Sequence, residues 1–145
     1  MTDELEDKLC KRFNFYRREL PMTESLMCFG FSHGDGWFNI IWELSEKIEE
    51  IINKYNPTDK QALDLLIDYP LFNVTQVKEK FGTLRFYYEM RLDVPEAHDE
   101  IMKVIDEAEL KSAKTCERCG KPGTQTESGW IKTLCNDCKK GSKNA

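Results

Sequence analysis

No apolar run in this chain of 145 residues approaches the roughly 20 needed to span a bilayer, so hydropathy predicts no membrane-spanning helix. The start, Met1-Thr2-Asp3-Glu4-Leu5-Glu6-Asp7, is acidic and lacks the basic and apolar regions of an export signal. These absences predict a cytoplasmic chain with no membrane partner. No internal repeat and no low-complexity tract is visible. Histidine is scarce, with His33 and His98 the only two, which leaves little material for acid–base catalysis. A basic surplus is also missing, since the formal net charge is −5. From Lys114 onward seven basic residues face three acidic ones, a surplus of four, so residues 1–113 carry nine net negative charges. A polyanion should be attracted weakly at long range, and protein is a better-matched partner than nucleic acid.

What is present is enough for a packed core: 40% of residues are apolar and 11% aromatic. Leu5, Leu9, Phe13 and Tyr16 recur at helical spacing and predict a first helix from near Asp3 to near Arg18, with Pro21 beyond it. Ser25 to Phe31 reads as a short apolar strand. After the turn His33-Gly34-Asp35-Gly36, a wide stripe of Trp37, Ile40, Ile41, Leu44, Ile48, Ile51, Ile52 and Tyr55 predicts a long amphipathic helix, with Asp35 as its cap. Thr58 with Gln61 reads as a capping box opening a short helix to about Asp68. Phe72 to Arg91 predicts a hairpin turning at Gly82, in which Leu84, Phe86, Tyr88 and Met90 alternate with polar neighbours. Asp93-Val94-Pro95-Glu96 opens a last helix with Ile101, Val104, Ile105 and Ala108 inward. The predicted fold class is therefore α+β, a helix-rich body over 1–113 with a small antiparallel hairpin, followed by a metal-stapled module over 114–145. The body has its own apolar stripes, so the two parts are expected to be separable in stability.

The chemistry lies in the tail. Cys116-Glu-Arg-Cys119-Gly120 and Cys135-Asn-Asp-Cys138 are two Cys-x-x-Cys pairs separated by fifteen residues. Each pair presents two thiolates from one turn, and two such turns complete the tetrahedral sulfur site that zinc favours. Gly120 supplies the left-handed backbone such a turn uses. Four ligands leave no open position for water, which predicts one structural Zn2+ in a zinc-ribbon or treble-clef-like module. A redox pair would appear once, at a helix start. The remaining thiols, Cys10 and Cys28, sit among apolar residues and read as buried.

The finger segment, from Cys116 to Lys140 with Ile131-Lys132-Thr133-Leu134 before the second pair, resembles the four-cysteine finger of the DksA/TraR family, which modulates bacterial RNA polymerase. The likeness covers about thirty residues. The long antiparallel coiled coil of that family has no counterpart in this sequence. Taken whole, with Gly34-Asp35-Gly36-Trp37-Phe38 and Gln76 to Phe86, the chain is similar to small uncharacterised proteins of tailed phages and prophages. That resemblance implies a viral accessory protein in the host cytoplasm, acting on a host or viral protein.

Three further features each carry two readings. His33 and Asp35 could pair a general base with a carboxylate, as in a hydrolase, but a capped glycine-rich turn explains the same residues. Lys78, Lys80, Arg85, Tyr87 and Arg91 interleave cations and aromatics on the hairpin, a composition suited to nucleic acid and equally to a charge-protected edge. Trp130, between the cysteine pairs, reads either as an exposed partner-binding anchor or as a fastener packed near Ile105 or Ala108. The preferred reading is a non-enzymatic zinc-binding protein with a protein partner. A nucleic-acid or transcription-complex accessory is the alternative.

Overall fold

The structure is a computed structural model and describes residues 1–55, 71–127 and 129–143. It has an α+β fold with four α-helices among the described residues. The helices are α1 (Asp3–Arg12), α2 (Phe38–Tyr55), α3 (Pro95–Ser112) and α4 (Asn136–Lys143). A mixed sheet has the order β1-β2-β3, in which β1 (Phe31–Ser32) runs parallel to β2 (Phe72–Lys80) and β3 (Thr83–Met90) antiparallel to it. A second ribbon pairs β4 (Thr124–Gln125) with β5 (Thr133–Leu134). The short helix expected over Thr58 to Asp68 lies outside the described residues.

Helix α1 begins with Asp3, Glu4 and Glu6 and ends with Lys11 and Arg12, charges that complement its dipole. It stops at Arg12, not Arg18, because Phe13, Phe15 and Tyr16 are all buried and no single helix face holds all three. Beyond it the chain turns at Asn14-Phe15, and the Phe15 carbonyl accepts the Val74 amide at 2.9 Å. Phe15 then meets Phe72 edge-on at 5.2 Å, and the Tyr16 hydroxyl lies 2.6 Å from that of Ser45 on α2.

The expected strand over Ser25 to Phe31 shortens in the same way. Met27–Phe29 forms a 3-10 turn, and only Phe31 and Ser32 pair with β2, opposite Val77 and Lys78. Cys28 is consequently exposed, contrary to its reading as a buried thiol. Cys10 is partly buried, and burial pushes its thiol up to about 11 against the pull of Arg18.

Ile41, Leu44 and Ile48 on the core face of α2, and Trp37 in the 3-10 turn just before it, are essentially inaccessible. Opposite it stand Val74 and Val77 of β2, Leu84 and Phe86 of β3, and Ile101, Ile105 and Ala108 of α3. Each large side chain removed from water here contributes about 1.5–3 kcal/mol. The hairpin turns at Phe81-Gly82, where both residues have positive φ, +54° and +81°, as a two-residue loop matched to strand twist demands. Helix α3 opens on Pro95 with Val94 at the capping position and no side-chain cap. No helix among the described residues is long and apolar enough to cross a membrane.

Candidate metal centre

The chain leaves α3 at Ser112 and enters a tight turn that carries Cys116 and Cys119, closed by the Gly120 amide on the Cys116 carbonyl at 3.0 Å. Gly120 takes φ +81°, the left-handed backbone anticipated for it. The β4–β5 ribbon follows, then Cys135 just before α4 and Cys138 in its first turn. A turn, a ribbon and a helix that begins at the last two cysteines make a treble-clef-like module.

The four sulfurs of Cys116, Cys119, Cys135 and Cys138 all lie within 4.8 Å of one another, and those of Cys119 and Cys135 are 3.5 Å apart. Tetrahedral thiolates at about 2.3 Å from zinc stand about 3.8 Å from each other, so the cluster fits a single ion of that size. The Cys138 amide donates to the Cys135 sulfur at 3.4 Å, the kind of bond that favours a thiolate. Cys116 is fully buried and Cys135 nearly so, Cys138 is half-buried and Cys119 is exposed. Burial raises the Cys116 thiol, but hydrogen bonds from the backbone at Cys135, Cys119 and Arg118 outweigh it and bring it to about 6. Backbone bonding at Cys138 likewise lowers Cys135. Cys138, hydrogen-bonded to the sulfurs of Cys135 and Cys116, is pushed up to about 12. Without a cation, four thiolates cannot all ionise side by side. A divalent metal removes that obstacle.

No family model, curated protein or solved structure matches this chain.

The module is hydrogen-bonded to the body through Glu117, the residue after the first cysteine. Its backbone carbonyl accepts the Gly36 amide at 2.7 Å, and its buried carboxylate accepts the Gly34 amide at 2.9 Å and faces Lys132 at 3.3 Å. Trp37 adds an indole bond to the Thr115 carbonyl at 2.9 Å, and Thr133 bonds the Gly82 carbonyl at 2.6 Å. A Cβ on Gly36 would meet the Cys116 carbonyl at 2.1 Å, so only glycine allows this approach. The turn 33–36 is thus a seat for the finger. Asp35 does not cap α2; its carboxylate accepts the Thr2 amide at the start of α1 instead. Sequence reasoning missed Glu117 and Gly36 as docking residues, and no spacing signal marks either.

The other candidates fall in different places. His33 is 6% exposed, packed between Phe31 and Trp37, with Nδ1 on the Gly34 carbonyl at 2.8 Å. Burial pushes it down to about 4. Its hydrogen bond and that of Asp35 lead to different groups, so the two do not form a base–carboxylate pair. On the hairpin, Arg85 is paired with Glu109 of α3 at 2.8 Å and stands opposite Lys78 across the strands. Trp130 is 78% exposed, and its indole N–H lies 3.3 Å from Glu79 on β2. It is therefore not packed on α3 beside Ile105 or Ala108.

Proposed function

We propose that the chain is a non-enzymatic zinc-binding accessory protein, of phage or prophage origin, that binds a host or viral protein through the surface its finger shares with the hairpin tip. The observation that carries the metal reading is the cluster of four sulfurs within 4.8 Å. Four protein ligands fill a tetrahedral zinc, so the ion is structural: it closes the turn, the ribbon and α4 into one unit and supplies no open position for catalysis. The origin rests on sequence resemblance alone. The binding reading is supported by Trp130, an aromatic left 78% exposed between β4 and β5 of a finger that Glu117 ties to the body. Rigid aromatic anchors give affinity at low entropic cost.

A nucleic-acid accessory is the second reading, favoured by the stacking of Lys78 over Tyr87 and Lys80 over Phe81, each ammonium 5.7 Å from its ring centre. The nine net negative charges of residues 1–113 oppose it. The experiment is co-purification from expressing cells with the wild type and with Trp130→Ala, read by mass spectrometry. A protein recovered stoichiometrically with the wild type and lost with the folded variant supports the protein reading. Sub-micromolar binding to arbitrary DNA or RNA at physiological salt overturns it.

A further inference from the structure

The sheet order β1-β2-β3 leaves β3 at an edge. In an antiparallel ladder the backbone groups of alternate residues face the neighbouring strand, and those between them face away. Three bonds fix which residues are which. The Leu84 amide donates outward, to Ser112 Oγ on α3 at 2.8 Å. Val74, which stands opposite Tyr88, donates its amide to the Phe15 carbonyl at 2.9 Å and not across to Tyr88. The Arg91 amide, by contrast, donates inward to the Leu71 carbonyl at 2.7 Å. Leu84, Phe86, Tyr88 and Met90 therefore turn their N–H and C=O groups away from β2. Among the described residues α3 takes the Leu84 amide, and no hydrogen bond reaches those of Phe86 and Tyr88.

Helix α3 runs beside this edge in the opposite direction. Ser112 and Glu109 meet Leu84 and Arg85 near one end, and His98 Nδ1 lies 2.8 Å from the Tyr88 hydroxyl near the other. Strand and helix together line an open groove of about 470 Å³, a volume typical of ligand sites. Met90, Met102 and Ile105 contribute to its apolar lining, and Met102 is 43% exposed. Its charged lining consists of Arg85 and Glu109, which pair with each other at 2.8 Å, and Asp106, which is exposed and pairs with no cation among the described residues. The groove thus carries one uncompensated negative charge.

We infer that this groove docks an extended basic polypeptide segment with apolar side chains, added to the sheet as a strand beside β3. The backbone selects the class of partner. A row of N–H and C=O groups repeating every second residue matches the edge of another strand, and a nucleic acid has no such row to offer. From Phe86 to Met90 the free edge is about 17 Å long, enough for about five residues. Charge then selects the side chains, because Asp106 and the nine net negative charges of residues 1–113 attract a cationic segment and repel an acidic one. The same nine charges oppose a second copy of this chain as the occupant. This surface lies apart from the finger, and the inference does not depend on Trp130.

The test uses the zinc-loaded full chain and fluorescent nine-residue peptides that alternate Lys with Val, Glu with Val or Lys with Gly, with single-stranded oligodeoxythymidine alongside. Polarisation gives affinity, and amide hydrogen exchange followed by NMR gives the place. The Lys–Val peptide should bind at least about tenfold more tightly than the other two, and should slow exchange at Phe86 and Tyr88 at least about tenfold. Asp106→Lys, an exposed change that leaves the fold intact, should weaken Lys–Val binding about fivefold. Trp130→Ala should leave it unchanged. Equal affinity for the three peptides, no binding, full affinity in Asp106→Lys, or binding without protection of Phe86 and Tyr88 overturns the inference. So does protection of those amides by self-association in the absence of peptide, which would make a second copy the occupant. Oligodeoxythymidine bound more tightly than any peptide would sink both this inference and the finger's protein-binding reading. Peptide binding lost in Trp130→Ala, with Phe86 and Tyr88 unprotected, would sink this inference alone.

Discussion

Replacing Glu117 by alanine should loosen the finger from the body without touching a metal ligand. The side chain is 6% exposed, and its two oxygens serve opposite sides of the junction, Oε2 accepting the Gly34 amide and Oε1 facing Lys132. Removing it leaves the Gly34 amide without its acceptor in a part-buried position, and takes from Lys132 the nearer of its two carboxylates. A hydrogen bond to a charged group contributes about 1.5–3 kcal/mol, and Lys132 is open enough to hydrate, so the loss should be about 2 kcal/mol. For a chain of this size that is about 6 °C in Tm. The backbone bond from Gly36 to the Glu117 carbonyl survives, so the finger should remain attached and metal-loaded. Glu117→Gln keeps an acceptor for Gly34 and should lose about half as much. The assay is thermal melting of metal-loaded protein followed by calorimetry or far-UV circular dichroism, with metal content checked on each variant. If Glu117→Ala melts within about 1 °C of the wild type, the contact is not a docking bond and the reasoning is wrong.

Cys119→Ser should greatly weaken metal retention and unfold residues beyond about Lys114, because structural zinc is worth about 10–16 kcal/mol of apparent binding free energy; hydrogen exchange localises the change, and full protection of the finger in the variant would count against it. Trp130→Ala should leave Tm within about 1 °C of the wild type, since the ring is 78% exposed and its indole bond to Glu79 is itself at the surface, and a larger fall would make it a fastener. His33, held down at about 4 by burial against an ordinary 6.5, charges first in the unfolded chain, so its contribution is complete above about pH 6.5 and is lost as pH falls toward 4, up to about 3 kcal/mol. The difference in Tm between the wild type and His33→Gln should therefore shrink across that window, and a constant difference would contradict the assignment.

How far the sequence revealed these features depends on what kind of force set each one. Helices α2 and α3 and the β2–β3 hairpin were legible because their apolar residues repeat with the period of the element that buries them. The cysteine cluster was legible because metal coordination fixes spacing within each pair. The stretch from Phe13 to Phe31 was misread where contacts distant in sequence override local pattern: Phe15 and Leu26 bond β2 at Val74 and Thr75, which draws the chain into an extended and turned path. The seat of the finger was hidden for a related reason. Gly34 and Gly36 look like a helix-start turn, and only the fold shows that the amides they present are taken by Glu117, more than eighty residues on.

In the proposed reading Cys116, Cys119, Cys135 and Cys138 together hold one structural zinc. Elemental analysis of protein purified without chelator, joined to the visible spectrum after cobalt exchange, tests it most directly. The expected result is one zinc per chain and, with cobalt, the intense ligand-field and thiolate charge-transfer bands of a tetrahedral tetrathiolate site, lost in Cys119→Ser. Much less than one zinc per chain, or a cobalt spectrum of weak octahedral type, would contradict it.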